Sequence, residues 1–188
     1  MKGVIFNLFE DVVRRERGED AWDVLLERTG LEGSFTSLGS YPDEQLTQLL
    51  VAAAAEFGAT EENVLQWFGR NAMPLLAERY PAFFRTQPTT RAFLLTLNEI
   101  IHPEVRKLYP GADVPLFDFD GSAPDVLRIG YRSRRQLCAL ARGFIEGAAD
   151  LYHEQVTVNE PRCMHRGDEK CVLEIAFAPR TSRPHAAT

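Results

Sequence analysis

Residues 89–111 read TTRAFLLTLNEIIHPEVRKLYPG. Phe93, Leu94, Leu97, Ile100, Ile101, Val105 and Leu108 recur at helical spacing, so the stretch predicts an amphipathic helix with a wide apolar face. His102 lies beside that face and Pro103 follows it. A residue before proline is pushed out of the right-handed helical region, and Pro103 has no N–H to give the Glu99 carbonyl. The helix should kink or restart at His102, which sets its imidazole apart from its neighbours. Read alone, this is either a ligand histidine or a core histidine beside an accidental kink.

The rest of the chain bounds these readings. Its 188 residues suit one domain with a sizeable core, expected over residues 1–178 with a flexible tail over 179–188. The 21 basic and 27 acidic residues leave a net charge of −6, which argues against nucleic acid or an anionic membrane as partner. The opening MKGVIFNLFEDVV lacks a signal peptide's layout, and no apolar run reaches a membrane span, so the expected location is cytoplasmic. Three cysteines cannot pair evenly, which disfavours a secreted disulfide framework.

Upstream of the His102 stretch the pattern is helical. Ile5, Leu8, Phe9, Val12 and Val13 share one face, and a second helix runs from about Asp20 to Thr29 and stops at Gly30. A third occupies Tyr41 to Phe57, with Pro42 at its start. Thr60 caps a fourth, with a kink expected at Pro74, and PAFFRTQP connects it to the His102 helix. Downstream, Val114–Phe119 and Val126–Tyr131 read as strands around a turn, and Ser133 as the cap of a helix from Arg134 to about Tyr152. Gln155–Val158 and Val172–Phe177 read as further strands. The sum is an α+β fold: a helical N-terminal half packed on an antiparallel sheet with a long helix.

Tyr131-Arg132-Ser133-Arg134-Arg135 lies at a strand-to-helix turn where a phenol, a hydroxyl and a guanidinium can converge. That trio suits a carboxylate or phosphate, with Arg135 as a bidentate fork; the alternative is a capped helix start with solvated arginines. Together, His102 and this Y-x-S-x-R string about thirty residues later resemble the heme nitric oxide/oxygen binding (H-NOX) family, in its bacterial stand-alone type. The MKG opening, Pro115 and the FIEGAA run extend the likeness to roughly Met1–Phe177. The resemblance implies a b-type heme between the two halves. His102 would be the proximal iron ligand, Tyr131, Ser133 and Arg135 would bind the propionates, and Pro115 would press on the macrocycle.

A heme needs an apolar slot, an axial ligand and a cationic rim. Ile5, Phe9, Leu76, Leu137, Leu140 and Phe144 are the candidate slot residues. Oxygen-binding members of the family carry a distal tyrosine where Leu140 stands here, so the resemblance implies NO and CO as ligands and no stable O2 complex. It also implies a structural zinc at Cys138, Cys163 and Cys171, although the family's histidine ligand falls on Glu160. A carboxylate can ligate zinc, and His165 could if its loop folded back; the rival is a set of inert or redox-sensing thiols.

The expected function is a heme-based gas sensor, not an enzyme. The chain carries no kinase or cyclase sequence, so its output would pass to a partner, by family analogy a histidine kinase or a cyclic-dinucleotide enzyme. Competing readings are a heme enzyme (peroxidase or NO dioxygenase), a zinc/thiol redox module, and an interaction domain without heme.

Overall fold

A computed structural model describes residues 1–178; the tail expected over 179–188 lies outside the described residues. The N-terminal half is helical: α1 (Gly3–Arg17), α2 (Ala21–Thr29), α3 (Asp43–Phe57), α4 (Glu61–Arg79), α5 (Pro81–Arg85), α6 (Thr90–Leu95) and α7 (His102–Leu108). Four strands follow, β1 (Leu116–Asp120), β2 (Val126–Arg132), β3 (Val156–Arg162) and β4 (Cys171–Phe177), with α8 (Cys138–Leu151) between β2 and β3. The sheet is antiparallel in the order β1-β2-β4-β3. This is the α+β arrangement read from the sequence.

Alternation along the inner strands sets the sheet's inward face. Leu127, Ile129 and Tyr131 of β2 and Cys171, Leu173 and Ile175 of β4 are all buried. Ile145 and Ala148 of α8 pack on this face in one core, while Phe6, Phe9, Trp22, Leu49 and Phe68 form another among the N-terminal helices. Thr60 accepts the Asn63 N–H at 3.2 Å and caps α4 as its residue type demands.

α4 and α8 join the halves through backbone rather than side chains. A Cβ on Gly143 would stand 2.0 Å from the Gln66 carbonyl oxygen, one on Gly69 2.5 Å from that of Leu140, and one on Gly147 2.4 Å from that of Arg70. Arg70 is also the residue whose helical hydrogen bond Pro74 cannot supply. Rather than ending there, α4 continues through Pro74 to Arg79, with Gly147 against the freed carbonyl. Arg70 pairs with Asp150 through both oxygens, at 2.6 and 3.0 Å.

The His102 stretch departs from one uniform helix. After α6 the backbone widens into a π-turn, Leu97–Ile101, and α7 restarts at His102 with Pro103 in its first turn. The Ile101 N–H reaches Thr96 and the His102 N–H reaches Leu97, each one residue farther than in an α-helix. That extra residue rotates the apolar stripe, so Ile100, expected inward, is 47% exposed. Leu108 is likewise 46% exposed.

Other boundaries differ from the sequence reading: β1 starts at Leu116 rather than Val114, and β3 runs on to Arg162 rather than ending at Val158. Ser133 does not cap a helix at Arg134; its hydroxyl holds the Arg135 N–H at 3.2 Å in a turn, and Gln136 at φ 51° breaks helical geometry before α8 starts at Cys138. PAFFRTQP contains the one-turn α5 rather than a bare connector.

The α4–α8 contact makes a direct prediction. Gly143→Ala should lower stability by about 1–3 kcal/mol in urea denaturation, because backbone must move to admit the methyl group, despite alanine's better helix propensity.

Candidate functional site

A cavity of about 610 Å³ lies between α1, α4, the π-turn with α7, the sheet and α8, within the usual size of small-molecule sites. Ile5, Leu76, Leu137, Leu140 and Phe144 all line it, as do His102 and Pro115. Phe9 does not. Val4, Ile5 and Leu8 carry the cavity side of α1, and Phe9, turned by about 100° from Leu8, points the other way. There it packs at 4.9 Å on Phe68 and 5.9 Å on Trp22, so its assignment to the slot is corrected.

His102 projects from the restart of α7 and stacks on Phe117 of β1, ring centres 5.4 Å apart. Phe117 in turn meets Tyr131, its partner across the β1–β2 ladder, at 5.8 Å. Burial, reinforced by the Arg106 charge, pushes the imidazole pKa down from 6.5 to about 4, so the ring is neutral and its lone pair is available at pH 7. Its Nδ1 is buried without a hydrogen-bond partner. The segments flanking the histidine are anchored: Asn98 Nδ2 donates to the Phe117 carbonyl at 2.8 Å, and the Tyr109 hydroxyl pairs with that of Tyr80. Upstream, Arg91 donates to the carbonyls of Gly121, Ala123, Pro124 and Val126, tying α6 to the β1–β2 turn.

Tyr131, Ser133 and Arg135 all reach the same cavity. The Tyr131 hydroxyl accepts the Leu137 N–H at 3.0 Å and so folds the turn that presents the other two. Burial pushes its pKa up to about 12, which keeps it a neutral phenol. Arg135 is largely buried within a charge network that the sequence reading missed. Its Nη1 lies 3.0 Å from both the backbone oxygen and Oδ2 of Asp113, and its Nε lies 2.9 Å from Asp43 Oδ2. Asp43 Oδ1 accepts from the Met1 α-ammonium at 2.6 Å. Burial would raise the Asp43 carboxyl, but the α-ammonium and Arg135 outweigh it and hold it below the ordinary value. The Nε–H of Arg135 is not aimed at the carboxylate and stays unsatisfied. An apolar chamber with a neutral, open imidazole and an unsatisfied guanidinium N–H at its rim fits an apolar disc with carboxylate arms.

A second group lies on the other side of the same turn. The Sγ atoms of Cys138 and Cys171 each lie 3.7 Å from that of Cys163, and one ligand atom from each of these three and Glu160 falls within 4.8 Å of every other. A zinc tetrahedron with Zn–S arms of about 2.3 Å has S–S edges of about 3.8 Å, so the spacing fits a metal. Glu160 Oε1 is buried without a partner. His165 stands outside the cluster: its Nε2 meets the Gln136 carbonyl at 2.8 Å. Burial raises the thiol pKa values of Cys138, where the Glu160 carboxylate adds to it, and of Cys171, the latter to about 11.

Sequence reasoning did not find Asp43, Asp113, Tyr80 or Tyr109. Asp43 lies in the first turn of α3, where the helix dipole alone accounts for an acid, and nothing local marks a partner so far along the chain. No described helix is long and apolar enough to cross a membrane.

Comparison with known proteins agrees with this geometry. The Haem-NO-binding family pattern matches residues 2–160. An H-NOX protein from Shewanella oneidensis, solved in the Fe(II)NO ligation state, is 28% identical, with a TM-score of 0.88 over 95% of this chain and 100% of that one. The same organism's H-NOX domain in the Fe(II)CO state is 28% identical, with a TM-score of 0.86 over 95% of this chain and 99% of that one. The Fe(II) unliganded H-NOX protein from K. algicida, at 24% identity, shares the fold with a TM-score of 0.85 over 97% of this chain and 100% of that one. No curated protein matches the chain. The Haem-NO-binding match spans most of the chain, and the chain therefore belongs to the H-NOX family.

Proposed function

We propose that this protein is a gas sensor that holds a b-type heme in the 610 Å³ cavity, binds NO and CO, forms no stable O2 complex, and signals to a separate protein. H-NOX homologues are heme-based gas sensors. The observation that carries the reading is the meeting, in one apolar cavity, of an unpartnered neutral His102 with the Tyr131, Ser133 and Arg135 rim. When bound, the heme would supply a ferrous iron able to bind a diatomic gas.

The chain's own residues supply the rest. His102 would hold the iron, Tyr131, Ser133 and Arg135 the propionates, and Pro115 would bear on the macrocycle. Asp43 and Asp113 keep the Arg135 fork in place, so its orientation is prepared in advance. Release of His102 would free α7 from one of its restraints and leave the Asn98 and Tyr109 contacts to govern its movement. A second packing of α7 is what a partner protein would read. By family analogy that partner is a histidine kinase or a cyclic-dinucleotide enzyme.

Gas selectivity follows from the lining. Leu140 offers no donor where bound O2, which carries partial negative charge, would gain most. The phenols of Tyr80 and Tyr109, which also line the cavity, hydrogen-bond to each other, which uses one of their two protons. A missing hydrogen bond to a charged partner costs about 1.5–3 kcal/mol, roughly tenfold to over a hundredfold in affinity. Among the described residues His102 is the one histidine lining the cavity, which counts against a peroxidase needing a second.

The cysteine cluster supports a structural zinc held by Cys138, Cys163, Cys171 and Glu160. All three thiols are buried, and burial disfavours the reactive thiolate, which counts against a redox-sensing module.

The decisive experiment is an absorption spectrum of the anaerobic, dithionite-reduced protein, repeated with NO, CO and air. NO and CO complexes without a stable oxy complex are the expected result. A stable oxy spectrum that disappears in Tyr80→Phe would identify that phenol as a donor and overturn the selectivity. Leu140→Tyr should raise O2 affinity by about tenfold to a hundredfold. Asp43→Asn should speed heme transfer to a scavenger apoprotein about two- to tenfold, because Arg135 loses a charged anchor worth about 0.5–1.5 kcal/mol.

A further inference from the structure

Glu160 is an unusual residue to bury beside three thiols. Its side chain is 7% exposed, and a carboxylate so buried requires a partner. Arg142 supplies the partner. It lies one helical turn after Cys138 on the same face of α8, and its Nη2 stands 3.0 Å from Glu160 Oε2. The same Nη2 is 3.6 Å from Oε1 of Glu62, in the first turn of α4. At the other end, Arg166 Nη2 donates to the Glu160 backbone oxygen at 2.6 Å. Glu160 is therefore pinned at both side chain and backbone, with one oxygen taken by a guanidinium and the other, Oε1, buried and open.

Charge explains why this pairing suits a metal. A divalent cation held by three thiolates and a neutral histidine, a common structural zinc set, carries one net negative charge. Replacing that histidine by a carboxylate adds a second, in a buried place. A guanidinium hydrogen-bonded to the carboxylate's other oxygen restores the single charge and limits Glu160 to one ligating oxygen. The carboxylate and guanidinium together thus match a neutral histidine in charge, with Arg142 orienting the ligand from outside the metal's own shell.

We propose that Arg142 is a positioning residue of the metal centre, holding Glu160 as a one-oxygen ligand and supplying the charge that a histidine ligand would not require. The inference rests on the zinc reading above and concerns how this chain accommodates a carboxylate in the site.

The test measures zinc per chain in the purified heme-loaded protein and zinc affinity by competition with a chromogenic chelator. Soret absorption and circular dichroism check that each variant is folded. The wild type should bind one zinc per chain, and Arg142→Gln should weaken binding about 10- to 100-fold. Arg142→Lys, which keeps the charge, should recover most of the loss. In a Glu160→His background, Arg142→Gln should cost nothing, because a neutral ligand needs no counter-charge. Unchanged affinity in Arg142→Gln overturns the proposal while leaving the zinc site standing. An equal loss in both backgrounds also overturns it, since Arg142 would then act through packing alone. A wild type that takes up no zinc on reconstitution overturns the zinc reading and this proposal together.

Discussion

Between α4 and α8 the main chains touch. Gly69, Gly143 and Gly147 leave no room for a Cβ against the carbonyls of Leu140, Gln66 and Arg70. Because α8 also packs its Ile145 and Ala148 on the inner sheet face, this contact sets how far the helical half stands from the strands. Leu140, Ala141 and Phe144 leave α8 beside that seam and form one wall of the cavity, while Met73 and Leu76 leave α4 and form another. A bulkier residue in the seam would shift both walls at once, since packed interiors do not absorb a methyl group without strain.

Electrostatics gives the cavity one charged edge on an otherwise apolar surface. Arg135 is neutralised by Asp43 and Asp113, and Asp43 also binds the α-ammonium of Met1. The network draws on the chain's first residue, the first turn of α3, the loop before β1 and the turn before α8. Removing one member of such a partly buried set leaves the others without compensation, which costs more than loss of an exposed pair. Arg142 and Glu160 repeat the device beyond the same turn: a buried charge is tolerated because its counter-charge is built into a neighbouring element.

Local chemistry was legible in the sequence. His102 before Pro103 announced a break in the helix, and the backbone does restart there, with the π-turn just ahead of it. Tyr131, Ser133 and Arg135 stood out because alternation on a strand and a following turn gather them within a few residues. Errors arose where one residue of rotation decides the outcome. Phe9 faces Trp22 and Phe68 while Leu8 faces the cavity, and Ile100 is turned outward by the widened backbone. Ser133 looked like a helix cap because a serine before a helical pattern usually is one; the left-handed Gln136 postponed the helix to Cys138.

By itself the sequence determined the fold class, through periodicity, and the family likeness, through His102 and the Y-x-S-x-R string, and the candidate ligands followed from that likeness. Tertiary structure alone decided that Met1, Asp43, Asp113 and Arg135 form one network and that Glu160 has Arg142 as its counter-charge. It also decided that the Cys138 and Cys171 thiols each stand 3.7 Å from that of Cys163. The reason is physical: charge pairing and ligand geometry depend on distance through space. Folding brings those groups within a few ångströms from elements whose separation along the chain carries no local signal.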